Sequence, residues 1–325
     1  MTSPKVSIVI LNYKNWQDTL ECLDSVLQIT YPSYRVIVVD NDSQNGSLEQ
    51  IEKWFVVRGI HPLHLLQQQS EQGDFDGNPV VLIQSASNGG YSAGNNIGIH
   101  WAIRAGDEYI LILNNDTLVE KGFLEPLADF LDTHPDTVMV GPKILDLNGN
   151  IDRNCARRRF QARDYFFLYS IFGRVFPNSY WYRRHFYIGE YDFSVPRSVD
   201  VISGSCMLIR SQFLRETGLL DENTFLFMEE FILCEKIRKC PEKNTYIVPQ
   251  SVIVHKLGQS VKKRVDLKML LKMLKVSEDS VCYYLKEYRQ YSGLKLWFLM
   301  LNPRLLSWAR YIYQAMRCLC KIKRD

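Results

Sequence analysis

The chain lacks a long apolar run. No uninterrupted stretch of its 325 residues reaches the roughly 18 residues that a bilayer-spanning helix needs. The best candidate, Leu294 to Tyr313, is broken by Lys295, Pro303, Arg304 and Arg310. The eight cysteines stand at irregular spacing with no Cys-x-x-Cys pair. That argues against a disulfide framework, and reduced cytosolic thiols are expected. A strand pattern begins at Val6 with no secretory leader before it, so a cytoplasmic protein is expected. Repeats and low-complexity tracts are absent. Neither charge sign dominates, at 39 Lys and Arg against 36 Asp and Glu, and nothing in that balance points to nucleic acid. Two phosphate-binding signatures are also missing. No Gly-Lys-Ser/Thr follows the Gly-rich segment, which excludes a Walker loop. The first strand leads into Asn12-Tyr13-Lys14-Asn15 and not into a dinucleotide fingerprint.

A content of 46% hydrophobic and 23% charged residues suits a globular protein with a real core. The length favours about two domains, or one large domain with a tail. Two regions are basic: Arg153 to Arg197, with Arg157-Arg158-Arg159 and Arg183-Arg184, and the C-terminus from Lys262-Lys263-Arg264 to Lys323-Arg324. Most such charges make a solvated face. Interleaving with Tyr165-Phe166-Phe167 and Tyr180-Trp181-Tyr182 favours contact with something anionic and greasy.

Val6 to Leu11 is a continuous apolar run, the mark of a buried parallel strand. Arg35–Val39, Val80–Ile83 and Tyr109–Leu113 read as further strands. Helices are expected at Trp16–Val26, Ser47–Val57 and Ser92–Arg104, with a surface loop over Gly59–Pro79. This alternation predicts a doubly wound, mostly parallel sheet with helices on both faces. In such sheets ligands bind beyond the carboxyl ends of the strands. Asp40, Asn88 and Asn114-Asn115-Asp116 all lie just past strand ends, so three separate segments converge on one edge. After Gly141-Pro142 the pattern loosens. Val199–Ile209 is strand-like but interrupted at Ser203-Gly204-Ser205, where a glycine permits close backbone approach. Met228–Lys239 reads as a helix opened by Glu229-Glu230. Thr245–Val248 and Val252–Val254 read as two strands, the second ending at His255. Helix is expected over Val261–Tyr291 and again over Leu294–Cys320, with a break near Asn302-Pro303.

These segments, in this order, resemble the inverting glycosyltransferases of family 2, which use the nucleotide-sugar-binding GT-A fold. The resemblance covers Val6 to Ser260 and rests on Val38-Val39-Asp40-Asn41-Asp42-Ser43, on Asn88-Gly89-Gly90-Tyr91-Ser92-Ala93-Gly94-Asn95-Asn96, on Asn114-Asn115-Asp116, on Glu229-Glu230 and on His255. It implies a GT-A domain over residues 1–260, with an aromatic and basic acceptor-side segment at 151–197, and a C-terminal helical extension over 261–325.

The resemblance also implies roles. Asp40 would accept the N3–H of a uracil or thymine ring, a task that suits an acceptor-only carboxylate. Tyr13 would stack on the base. Asn88, Gly89, Gly94 and Asn95 would shape a loop around the donor. Asn114, Asn115 and Asp116 stand where the family has Asp-x-Asp, with Asn114 in place of the first acid. Asp116 and His255 would hold a divalent cation, Mg²⁺ or Mn²⁺. Gly204 and Ser205 would lie on the acceptor side. Glu230 would be the general base, with Glu229 as the alternative. The implied reaction moves a sugar from a UDP- or dTDP-sugar to a hydroxyl of a glycan or lipid-linked acceptor in cell-surface polysaccharide synthesis. Two readings compete with it: a nucleotidyltransferase, disfavoured because no basic triphosphate loop follows the first strand, and a non-catalytic sugar-nucleotide-binding scaffold.

The last helix alternates Leu294, Leu296, Trp297, Phe298, Leu301, Leu305, Trp308, Tyr311 and Ile312 with Lys295, Arg304, Arg310 and Arg317. That composition suits a helix lying in an anionic membrane interface, here the inner face of the cell membrane. It equally suits packing on the catalytic domain or on the second subunit of a homodimer.

Overall fold

The structure, a computed structural model, describes residues 3–72, 77–159, 176, 186–188, 191–256 and 267–322. Strands and helices alternate through its first half: β1 (Val6–Asn12), α1 (Trp16–Val26), β2 (Tyr34–Asp40), α2 (Ser47–Val57), β3 (Leu63–Leu66), α3 (Gln67–Gln72), β4 (Val80–Gln84), α4 (Gly90–Arg104) and β5 (Tyr109–Asn114). Then come β6 (Thr117–Val119), α5 (Leu124–Thr133), β7 (Thr137–Leu145) and the short strands β8 (Ala156–Arg157), β9 (Arg197–Ser198) and β10 (Val201–Ile202). β11 (Cys206–Arg210), α6 (Ser211–Thr217), α7 (Glu229–Arg238), β12 (Asn244–His255), α8 (Leu267–Tyr283), a π-helical turn at Tyr284–Tyr288 and α9 (Gly293–Ile322) complete the described chain.

The main sheet has the order β3-β4-β2-β1-β5-β11-β7-β12-β6, with β9 alongside β12. Its first five strands are parallel, and β11 runs antiparallel between β5 and β7. Helix α4 covers one face, where Gly94 and Gly98 lie against Leu11, Val9 and Val39. Ile8 and Ile10, which alternation turns to the other face, are just as fully buried. Burial on both sides is why these strands read as unbroken apolar runs. The register sets Asn12 beside Asp40, Asp40 beside Gln84, and Leu11 beside Asn114. The strand ends are therefore level, and the polar residues that follow them share one edge.

A second core joins α7 to the C-terminal helices. Met228, Phe231 and Ile232 pack with Val281, Tyr284, Leu285, Leu299 and Met300. Glu235 of α7 fastens it, accepting from Arg159 Nε at 2.7 Å, Arg159 Nη2 at 2.8 Å and the Tyr284 hydroxyl at 2.9 Å.

Several sequence expectations need correction. The stretch Gly59–Pro79 is not all loop: β3 pairs in parallel with β4, and α3 follows it directly. Leu63 and Leu65 alternate with exposed neighbours on this edge strand, a pattern too short to stand out among the glutamines. β7 runs straight through Gly141-Pro142, and a Cβ at Gly141 would come within 2.5 Å of Ile202 Cγ2. The two strands expected after Thr245 are one, β12, with a register shift between Val248 and Val252. Helix α9 continues through Asn302-Pro303 without the expected break. A proline removes one N–H, but its fixed φ lies near the helical value. Arg183-Arg184, the aromatic clusters at 165–167 and 180–182, and Lys262-Lys263-Arg264 lie outside the described residues.

Candidate active site

Strand β2 delivers Asp40 to the sheet edge, but nearly buried and well supplied with donors. Oδ1 accepts from Asn12 Nδ2 at 2.6 Å and Ser43 Oγ at 2.6 Å. Oδ2 accepts from the Ser43 amide at 3.0 Å and Gln84 Nε2 at 3.3 Å. A nucleobase N–H reaching this carboxylate would have to displace the long Gln84 contact. Tyr13, 44% exposed, stands at the rim with Lys14 Nζ 5.0 Å from its ring centroid. Hydrogen bonds with Lys14 and Asn88 pull its phenol below the usual value.

The Gly-rich segment opens α4 as expected, but two of its amides are already engaged. Gly90 N–H donates to Asn88 Oδ1 at 3.0 Å, and Tyr91 N–H donates to the Phe225 carbonyl at 2.8 Å. The expected donor cradle is thus partly closed. Gly89 occupies the N-cap of α4. Gly94 and Asn95 face inward: a Cβ at Gly94 would meet Leu11 Cδ1 at 2.6 Å, and Asn95 Nδ2 donates to the Tyr91 carbonyl at 2.9 Å. Gly90 has a sharper requirement that sequence reading did not isolate. Its φ is +90°, and a Cβ there would lie 2.1 Å from the Phe225 carbonyl oxygen. Glycine alone permits this approach. The Gly-Gly dipeptide was the available signal.

At the end of β5 the three polar residues diverge. Asn114 N–H donates to the Ser205 carbonyl at 2.9 Å. Asn115 turns back to brace the β1–α1 loop, donating to Thr19 Oγ1 at 2.9 Å and the Asn15 carbonyl at 3.2 Å. Asp116 Oδ1 lies 3.1 Å from His255 Nε2. The two meet because β12 pairs antiparallel with β6, setting His255 opposite Thr117. Adjacent ligands of an octahedral ion, each about 2.1 Å from it, stand about 3 Å apart. The pair therefore fits a divalent cation. Among the described residues no group of three or more His, Cys, Asp or Glu is placed to hold a metal. Among the described residues this leaves two side chains, Asp116 and His255, which would suit an ion completed by substrate oxygens and water.

The entry to α7 is strained. Phe227 and Met228 both adopt left-handed φ, 76° and 74°. Such residues cost about 1–3 kcal/mol each and cluster at functional sites. The turn aims two carboxyls differently. Glu229 is buried, and burial together with the Glu230 charge pushes its carboxyl up to about 8. Glu230 stays partly open. Its Oε1 accepts from Arg157 Nη2 at 3.0 Å and from the Gly204 amide at 3.1 Å. Among the described residues nothing donates to its Oε2. Tyr91, whose hydroxyl donates to the Gly204 carbonyl at 2.5 Å, holds this step from the α4 side. Gly204 and Ser205 therefore link Glu230 to the end of β5, next to Asp116 and His255. Arg157 and Tyr91 stand in segments the sequence singled out, but their contacts had no sequence signal, because the partners lie 73 and 113 residues away.

A cavity of about 530 Å³ lies elsewhere, between α3 and α4. It shares Asn41, Gly89, Ala93, Gly94 and Asn96 with the motifs, and none of Glu230, Asp116 and His255 lines it.

A sequence model described as "Glycosyl transferase family 2" matches residues 7–218. The chain belongs to this family. It is 24% identical over 238 residues to the low-salt glycan biosynthesis hexosyltransferase Agl10 of Haloferax volcanii, covering 72% of this chain and 62% of that protein. It is 26% identical over 204 residues to the N-acetylglucosaminyl-diphospho-decaprenol L-rhamnosyltransferase of Mycobacterium tuberculosis, covering 58% of this chain and 65% of that protein. The chain thus spans less than two-thirds of these relatives. The crystal structure of GalNAc-T7 with UDP, GalNAc and Mn²⁺ superposes with a TM-score of 0.57 at 14% identity, over 88% of this chain and 49% of that one. At that identity the likeness concerns the fold alone, which is the GT-A fold expected for family 2. Glu229, Glu230 and His255 lie beyond the matched residues, so their placement rests on the geometry above.

Proposed function

We propose that the chain is an inverting glycosyltransferase that moves a sugar from a UDP- or dTDP-sugar to a hydroxyl of a glycan or lipid-linked acceptor, in cell-surface polysaccharide synthesis. One observation carries the reading. Gly204-Ser205 joins a carboxylate with an open oxygen, Glu230, to the strand end that bears Asp116 and His255. Glu230 Oε2 takes the acceptor proton as the hydroxyl attacks the anomeric carbon, and the nucleoside diphosphate leaves from the opposite face. Asp116 and His255 would hold the divalent cation, which when bound supplies charge stabilisation to the leaving diphosphate. Residues 1–260 form the catalytic unit in this reading, and the helices after 260 dock on it through α7.

Asp40 and Tyr13 are proposed to select the base. Asp40→Ala is expected to weaken UDP and dTDP binding by about tenfold or more, since a hydrogen bond to a charged group contributes roughly 1.5–3 kcal/mol. GDP and ADP binding should change little. Titration calorimetry with the four nucleotides tests this, with the unfolding midpoint as a check on the fold. Unchanged selectivity would return Asp40 to the role of turn residue.

The proposed place of action is the cytoplasmic face of the membrane, reached by α9. Leu299 and Met300 bury into the second core, while Leu294, Trp297, Phe298, Leu305, Trp308 and Ile312 remain exposed. Among the described residues no helix is long and apolar enough to cross a membrane. From Arg289 to Arg324 every formally charged residue is Lys or Arg. That like charge disfavours self-pairing of this helix and favours anionic lipid, at about 1 kcal/mol per cation near the surface. The protein is expected to sediment with phosphatidylserine-containing liposomes at low salt, less at high salt, and not after truncation at Tyr291. A full-length protein that stays in the supernatant at low salt would contradict the membrane role.

A further inference from the structure

We propose that Arg157 is a positioning residue for Glu230, holding Oε1 so that Oε2 is presented to the acceptor hydroxyl. This rests on the reading of Glu230 as the base.

Strand β8 pairs antiparallel with β10, with Arg157 opposite Val201, two residues before the Ser203-Gly204-Ser205 step. The side chain reaches across to α7 and is only 11% exposed. Its guanidinium lies 4.7 Å from the ring centroid of Phe231, the residue after Glu230. Among the described residues its Nε is buried without an acceptor, and the ion pair to Glu230 spans 3.0 Å. A buried guanidinium with an unpaired N–H is costly, so this residue is not placed for stability alone. Two donors converge on one oxygen, Arg157 Nη2 and the Gly204 amide, and charge-assisted bonds of this kind fix the plane of a carboxylate. Rotation of Glu230 would break both. Among the described residues the groups facing Glu230 are Arg157 from β8, the Gly204 amide, the Tyr91 hydroxyl from α4 and Glu229 on its own helix. Burial and the Glu230 charge favour the neutral form of Glu229, and among the described residues Arg157 is the cation that touches Glu230.

Two readouts on the full-length protein test this. With ¹³C-carboxyl-labelled glutamate, the resonance removed by E230Q identifies Glu230. Its titration midpoint is expected to move to higher pH in R157Q and to stay near the parent position in R157K, which keeps the charge. With UDP-glucose and dTDP-glucose as donors, R157Q is expected to lower kcat by about tenfold to a hundredfold, leave donor KM nearly unchanged and shift the acid limb of the pH profile upward. R157K should recover much of that loss. An unmoved midpoint in R157Q overturns the proposal. So does an equal kcat loss in R157K and R157Q with a lowered unfolding midpoint, which marks a merely structural pair. If E230Q itself transfers sugar normally, it is the base reading that fails. The midpoint in R157Q then still reports whether Arg157 governs this carboxylate.

Discussion

Glu230→Gln is expected to fold normally, to bind nucleoside diphosphate within a few-fold of the parent, and to lose about two orders of magnitude or more in sugar transfer. The amide oxygen of Gln can still accept from Arg157 Nη2 and the Gly204 N–H, so the side chain keeps its place. What it cannot do is take the proton from the acceptor hydroxyl. Glu229→Gln supplies the contrast. The Glu229 carboxyl is buried and pushed up to about 8, so it is largely neutral at pH 7, and a neutral amide mimics it. Its effect on transfer should be small. Steady-state rates of both variants, with nucleotide binding measured alongside, decide between the two acids. Near-normal transfer by Glu230→Gln with loss of transfer in Glu229→Gln would move the role to Glu229.

Asp116→Ala and His255→Ala are each expected to abolish the gain in nucleoside diphosphate affinity that Mn²⁺ confers, a loss of about tenfold to a hundredfold. Each variant removes one of the two side chains proposed to hold the cation. The contact between them is partly exposed, at 21% for Asp116 and 13% for His255, and such pairs add only about 0–1 kcal/mol to stability. Both variants should therefore fold, and a binding defect can be read as one. Calorimetric titration of UDP in Mn²⁺ and in EDTA checks this. Equal affinity in the two conditions for the parent protein would show that the pair is an ordinary polar contact.

The parallel half of the fold was legible because its strands are buried on both faces. Val6–Leu11 and Tyr109–Leu113 announce themselves as apolar runs, and the rule of strand ends then placed Asp40 and Asp116 on one edge. β3 was not legible, since four residues with half-buried alternation on a sheet edge carry little signal. Nor was β7, which runs through Gly141-Pro142, the point after which the sequence pattern loosens, and whose Gly141 admits Ile202. Within the site, Glu230 and His255 came only through family resemblance, because a pair of acids opening a helix also suits its dipole. The residues that shape them, Gly90 against Phe225, Tyr91 against Gly204 and Arg157 against Glu230, are set by contacts between distant segments that no local pattern encodes. Gly94 and Asn95, by contrast, belong to the motif yet pack inward, where close helix–strand contact accounts for them.

The most direct measurement is release of free nucleoside diphosphate from UDP- and dTDP-sugars in the presence of glycan and lipid-linked acceptors, with the anomeric configuration of the product read by proton NMR. The account predicts release that requires Mn²⁺ or Mg²⁺, stops in EDTA, is lost in Glu230→Gln, and gives a product of inverted configuration. A nucleotidyltransferase would release sugar 1-phosphate from these donors instead, and a binding scaffold would release nothing. Either of those results, or a product with retained configuration, would contradict it.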